Sequence, residues 1–249
     1  MTVAIMSAMQ EENSHIVQEM KISELENYGS RTYYSGTIAG KEVVVVFSHW
    51  GKVAASITAT CLITKFDVDE IVFVGTAGAI DEKLSVGDIV VGENLYQHDM
   101  DARPIIEQYE IPLLGRSDIA TTPVIHDKLF DAANAFVSED IKKLAVFNSG
   151  AGESIGTPNV VKADIASGDQ FVSESAQAQR VRQNLPAVGC VEMEGAAVAQ
   201  VCESFDVPFG IVRTISDGAN ETSEIDFQKF LNELAPEYAL GIVKRYLGQ

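Results

Sequence analysis

The sequence predicts an α/β fold in which helices flank a mostly parallel sheet. Three observations carry this reading. Short buried apolar runs alternate with segments of helical period, the pattern of βα units. "RTYYSGTI" and "KEVVVVFS" flank Ala39-Gly40 as a hairpin, which makes the sheet mixed. No linker, repeat or low-complexity segment interrupts the 249 residues, so 1–249 reads as a single domain.

The elements follow in order. The apolar run "TVAIMSA" (2–8) is a strand, and "QEENSHIVQEM" after it has the apolar spacing of a helix. Beyond the hairpin, "GKVAASITATCLITKF" (51–66) is a helix of small and apolar residues, and "DEIVFVGTAGA" (69–79) is a buried strand running into a glycine-rich turn. "VGDIVVGENLYQHD" (86–99) is further strand, followed by the polar loop "ARPIIEQYEIPLLGRSDI". A helix near 124–137 and strands in "KKLAVFNSG" and "VKADIASGD" come next. A helix near 174–184, the strand "AVGCVE", a helix from 194, the strand "PFGIVRTIS" (208–216) and a closing helix from about 226 complete the chain.

Charge and composition exclude several classes. Acids outnumber bases by 36 to 18, for a formal net charge of −18, which argues against nucleic-acid binding and against docking to anionic membranes. No apolar run is long enough to span a bilayer. The opening "MTVAIMSAMQEEN" has neither the basic region nor the long apolar segment of a signal peptide. Cys61, Cys190 and Cys202 are an odd number, widely spaced in apolar sequence, and read as reduced core thiols of a cytoplasmic protein. The four histidines show no motif joining them to a cysteine and no metal-ligand spacing, so neither a metal nor a cofactor is expected. "GAGESIG" (150–156) has the wrong spacing and context for a dinucleotide loop and reads as an ordinary loop.

Ligands of open α/β sheets sit beyond the carboxyl ends of strands. Here those ends carry Ser7-Ala8-Met9 with Glu12 just after, Ser48-His49-Trp50-Gly51, Gly75-Thr76-Ala77-Gly78, Ser167-Gly168-Asp169, Glu192-Met193-Glu194 and Ser216-Asp217. Glycine, hydroxyl and carboxylate recur while cations are scarce, which suits a neutral polar ligand, or one that becomes cationic, better than a phosphate. Each acid alone has an ordinary explanation. Glu12 and Glu194 fit the first turn of a helix, and Asp217 fits an N-cap or Asx turn. Their convergence on one rim shifts the reading toward chemistry. Arg213, on the last core strand, needs a carboxylate partner if buried. Phe171 in "SGDQF" is either core packing or a platform for a planar ring.

Together "VEMEGAAVAQVC", "SGDQF", "VGTAGA", "HWGKVAA", "VGDIVV" and "VRTISD" resemble the methylthioadenosine/S-adenosylhomocysteine nucleosidases, within the nucleoside phosphorylase superfamily, over nearly the whole chain. The resemblance implies a three-layer α/β/α domain around a twisted mixed sheet, a homodimer, a small-molecule nucleoside substrate and hydrolysis of the adenine–ribose bond. It implies that Glu12 activates water and Asp217 assists protonation of adenine N7. Met193 and Glu194 resemble the ribose contacts, Phe171 the base-stacking ring, Val172 a backbone contact to adenine, Arg213 an orienting residue and Phe227 the aromatic over the 5′-substituent. Met9 and the "GTAGA" residues Thr76, Ala77 and Gly78 join the substrate set, Thr76 standing where the family usually has serine. Trp50 departs from the family by replacing a smaller aliphatic residue near the 5′-group. The stretch between "KKLAVFNSG" and "ADIASGDQF" is longer than the family pattern. Only the beginning of "HDMDARPIIEQYEIPLLG" aligns with the segment that reaches a partner subunit, leaving Ile105, Ile106 and Pro112 as candidate contacts. The residues leave two alternatives: a phosphorylase, which would need arginines beside the early glycine loops, and a nucleoside-binding module without chemistry. Glu192 is expected to pair with Arg213 or a helix terminus.

Overall fold

The structure is a computed structural model that describes residues 1–143 and 157–248. The chain opens with β1 (Val3–Ser7) and α1 (Gln10–Glu19), then β2 (Lys21–Tyr28), β3 (Arg31–Ile38) and β4 (Lys41–Phe47). Next come α2 (Lys52–Thr64), β5 (Glu70–Ala79), β6 (Ile89–Gln97), the short β7 (Asp118–Ala120) and α3 (Pro123–Ala135). After the undescribed stretch follow β8 (Val160–Ser167), α4 (Ser175–Asn184), β9 (Val188–Glu192) and α5 (Gly195–Ser204). β10 (Phe209–Asp217), α6 (Ser223–Glu233) and α7 (Ala235–Leu247) end it.

Apolar residues on both sides of the central strands sort themselves by the period of two. Val3 and Ile5 of β1, Val43 and Val45 of β4, and Val72 and Val74 of β5 pack on one face, under α1, α3 and α7. Ala4, Met6, Val44, Val46, Ile71 and Phe73 pack on the other, against α2 and α5. A smaller cluster joins α4 to β8 and β9. The three-layer α/β/α arrangement is therefore present.

The sheet is mixed, as the hairpin implies, but it is not mostly parallel as expected. Among the described residues, five pairings are parallel and five antiparallel. Two parallel sets, β4-β1-β5-β10 and β6-β8-β9, run in opposite directions and meet twice, so that β5, β10, β6, β8 and β9 close into a ring. β5 and β9 touch only at their carboxyl ends, through Gly78 opposite Val191 and Ala79 opposite Cys190. The carboxyl ends of both sets are thereby brought to one place, the position of a ligand site in such sheets.

β2 was not expected from the sequence. It is an edge strand exposed along nearly its whole length, so it lacks the apolar alternation that marks a half-buried strand. The closing helix is two helices that break at Leu234, with Pro236 in the first turn of α7, where a missing N–H is tolerated. Of "KKLAVFNSG", Lys142 and Lys143 lie in a 3₁₀ turn rather than a strand, and the rest falls outside the described residues, as does "GAGESIG".

The run of small residues after Glu194 has a steric cause. A Cβ at Gly195 would lie 2.5 Å from Ile211 Cδ1 and 2.9 Å from Leu95 Cδ2. Both neighbours are fully buried and have nowhere to move. Gly195→Ala should therefore lower stability by about 1–3 kcal/mol, although alanine is the better helix former. Chemical denaturation checks this, and an unchanged midpoint would mean that α5 is free to shift on the sheet.

Candidate active site

A cavity of about 360 Å³ opens where the strand ends converge. Twelve of the thirteen expected site residues line it: Met9, Glu12, Trp50, Thr76, Ala77 and Gly78 from the first half, and Phe171, Met193, Glu194, Arg213, Asp217 and Phe227 from the second. Val172 does not. Its side chain is buried in the α4 cluster with Val181 and Leu185. Ser216, named with the strand ends, also lines the cavity, while sequence reasoning missed Ser173, Glu224 and Gln228. Glu224 and Gln228 flank Phe227 at helical spacing on α6, a signal the sequence did contain.

Glu12 is buried at the third position of α1, and its ordinary explanation holds in part. One carboxylate oxygen accepts the Ala8 and Met9 amides at 3.0 Å each, as a first-turn acid does. The other accepts the Thr76 amide and hydroxyl, both at 3.0 Å. Glu11 beside it is exposed. Burial raises the Glu12 carboxyl above its ordinary pKa, against the opposing influence of Arg213 and these donors.

Asp217 ends β10 and is 2% exposed. It accepts the Ala219 amide at 2.9 Å, the expected Asx turn, and the Ser216 hydroxyl at 2.8 Å. Burial raises its pKa as well. Gly78 opposite it carries no side chain for a reason: a Cβ there would stand 2.9 Å from Asp217 Oδ1.

The two acids of "VEMEG" divide the work. Glu192, not Glu194, caps α5, accepting the Gly195 amide on both oxygens at 3.0 and 2.8 Å. It also accepts the Ser167 hydroxyl and the Arg213 guanidinium, the latter at 2.6 Å. Glu194 caps nothing in its own helix. It reaches across to the Gly51 amide at 2.7 Å, at the start of α2. Burial, and after it the neighbouring Glu192 charge, push its pKa up to about 8.

Arg213 is 1% exposed and stacks over Phe73, 4.1 Å from guanidinium carbon to ring centroid. Gly75, its register partner on β5, has no side chain, and a Cβ there would lie 3.0 Å from both Arg213 Nη1 and Glu12 Oε1. One cation thus stands among Glu12, Glu192 and Glu194. The opposite wall is aromatic: Phe171 and Phe227 lie 5.8 Å apart at 59°, with Trp50, 64% exposed, at the mouth. Such walls accept a planar ring, and the carboxyl groups face its polar edge and whatever it carries.

Fold and site together define an α/β protein whose cavity is equipped for acid–base chemistry on a small polar ring compound. The chain belongs to the phosphorylase superfamily, whose sequence profile matches residues 2–248. It is 33% identical over 243 residues to the 5′-methylthioadenosine/S-adenosylhomocysteine nucleosidase of Shewanella sp. (strain W3-18-1), covering 98% of this chain and 97% of that protein. The nucleosidase of the same name from Shewanella denitrificans is 35% identical over the same length, with the same coverage. Among solved structures, the 5′-methylthioadenosine/S-adenosylhomocysteine nucleosidase of Neisseria meningitidis, in complex with methylthio-immucillin-A, is similar with a TM-score of 0.87. It is 30% identical and covers 99% of this chain and 98% of that one. Futalosine hydrolase of Helicobacter pylori is similar with a TM-score of 0.84 and 29% identity, covering 99% and 97%.

The raised pKa values have a measurable consequence. Glu12, Asp217 and Glu194 hold a proton more tightly folded than unfolded, so their stabilising contribution is full below the ordinary carboxylate range. It is lost as pH rises toward the raised values. Thermal melts of ligand-free protein should therefore move to higher temperature as pH is lowered from about 9 to about 6. Glu194→Gln, which keeps an acceptor for the Gly51 amide, should flatten that slope. An equal slope in the variant would place the titration elsewhere.

Proposed function

We propose that this chain is an N-glycosyl hydrolase that releases adenine from 5′-methylthioadenosine and S-adenosylhomocysteine, with water as the nucleophile. The observation that carries the choice of water is the charge of the cavity wall. Among the described residues, five carboxyl groups line it against one guanidinium, which is paired through Nη2 with Glu192. A phosphorylase needs free cations to hold phosphate beside the sugar, and an anion placed there would face Glu12.

Breaking the bond builds positive charge on the sugar, requires adenine to leave as a neutral base, and needs a nucleophile at the anomeric carbon. In this reading Glu12 takes the proton of the attacking water. Its four hydrogen-bond donors and the nearby Arg213 support a carboxylate at that position against the pull of burial. Asp217, whose pKa burial raises, shares the proton that adenine N7 acquires. Glu194 holds the sugar hydroxyls, Met193 contacts the ribose, and the growing sugar charge is stabilised by the surrounding acids. Phe171 stacks on the base, and the Val172 backbone reads the base edge. Phe227 and Trp50 border the 5′-group, with Met9, Thr76, Ala77 and Gly78 completing the wall. Arg213 orients Glu192 and Glu12.

A cytoplasmic homodimer serving methionine salvage, with 1–249 as its single domain, belongs to the same reading. Exposure of Ile105 and Pro112, neither of which lines this chain's own cavity, supports their role as contacts for a second copy; Ile106 is half-buried.

The roles of the two catalytic acids separate on a substrate whose leaving group needs no proton. Asp217→Asn should cost about 10²–10⁴-fold in kcat/KM on methylthioadenosine, and Glu12→Gln at least as much. On a nitrophenyl riboside bearing the same 5′-methylthio group, Asp217→Asn should recover much of its activity while Glu12→Gln should not. Equal loss in both variants on that substrate would mean the roles are wrongly assigned.

A further inference from the structure

Behind the cavity wall, a closed ring of hydrogen bonds joins two segments of the site. Consecutive amides at the start of α2 are held by carboxylates from different loops. Gly51 N–H donates to Glu194 at 2.7 Å, and Lys52 N–H donates to Asp169 at 2.8 Å. Gly51 has φ +87°, and a Cβ there would stand 2.8 Å from Asp169 Oδ1, so both backbone and space require glycine. The Lys52 ammonium turns back to Asp99 at 2.6 Å, and the other Asp99 oxygen accepts the Asp169 amide at 2.9 Å. Gln97 also binds the ammonium, at 3.2 Å, and donates in turn to Gln200 of α5 at 2.8 Å.

The ion pair of the ring is sheltered, while Asp169 is exposed. Lys52 and Asp99 side chains are each 18% exposed, so water and salt screen the pair less than a surface ion pair. None of Lys52, Asp99 and Asp169 lines the cavity. Their reach lies in what they connect. Asp169 stands two residues before Phe171, and Gly51 follows Trp50 and holds Glu194.

We propose that Asp169, with Asp99 and Lys52, is a positioning unit that fixes the separation between the Phe171 face and the Glu194 carboxylate. The inference rests on the nucleosidase reading, in which base and sugar occupy those two groups and the scissile bond spans them. An error in their separation falls on the reacting bond and leaves each half-site intact. Misplacement by about 1 Å costs on the order of 10²-fold in rate. Adenine alone meets only one side and does not feel the error.

The test compares full-length wild-type, Asp169→Ala, Asp169→Asn and Asp99→Asn proteins on methylthioadenosine, with adenine as a product inhibitor. Asp169→Ala should lose roughly 10–100-fold in kcat/KM, chiefly in kcat, while inhibition by adenine stays within about 3-fold. Asp169→Asn keeps an acceptor for the Lys52 amide and should recover most of the rate. Asp99→Asn weakens the ring at its ion pair and should show the same pattern in smaller degree, so the inference stays testable if Asp169→Ala does not fold. Parallel loss of adenine affinity and kcat/KM would make Asp169 a support of the base wall alone and overturn the inference. So would unchanged rates in the variants, or an asparagine as damaging as alanine. Wild-type protein that releases no adenine would overturn the nucleosidase reading and this inference together, a result read without any variant.

Discussion

The rest of the structure depends on one buried ion pair, Arg213 with Glu192. The guanidinium hangs from β10 and the carboxylate from the end of β9, so a 2.6 Å contact ties the two parallel strand sets together at the point where their carboxyl ends meet. The same carboxylate accepts the first amide of α5 and the hydroxyl of Ser167, anchoring the helix that follows Glu194 and the end of β8. Removing one partner of such a pair leaves an uncompensated buried charge, typically at a cost of about 3–5 kcal/mol. A hydrophobic pair of equal volume would hold the strands at least as well. What it would not do is place one positive charge among the other buried acids.

That placement explains how so many acids share a small space. Glu12 and Glu194 are both nearly inaccessible to water, and burial favours their neutral forms. Arg213 works against this for both, while Glu192 works against ionisation of Glu194. The ligand-free site is thus held in a condition that stability alone would not select. In the proposed reaction a sugar that gains positive charge would relieve it, because that charge would arrive beside the carboxyl groups. Among the described residues the wall holds one guanidinium, paired through Nη2 with Glu192, and an incoming anion would meet the surrounding carboxyl groups as well.

Much of this was legible in the sequence, and the exceptions have physical causes. Buried strands such as "IVFVG" and "GIVRTIS" announce themselves because both faces must be apolar. The acids at their ends stand out because they follow such runs. β2 escaped notice because exposure removes the alternation that would reveal it. Closure of the sheet was invisible because the β5–β9 junction consists of only two residue pairs, Gly78 with Val191 and Ala79 with Cys190. Glu192 and Glu194 are separated in the sequence by Met193 alone. The expectation that Glu192 would pair with Arg213 or a helix terminus is met on both counts, while the reach of Glu194 to the distant Gly51 amide had no signal in the sequence. Val172 was expected to offer only its backbone, and its side chain, next to Phe171, is buried in the core.

The central claim is that a cavity wall dominated by carboxyl groups leaves water as the nucleophile. The direct measurement is turnover of methylthioadenosine in ¹⁸O-labelled water containing phosphate, followed by mass spectrometry of the sugar product. The account predicts free methylthioribose carrying the label at its anomeric oxygen, with adenine formed at a rate independent of phosphate. A sugar 1-phosphate, or a rate that follows phosphate concentration, would contradict it.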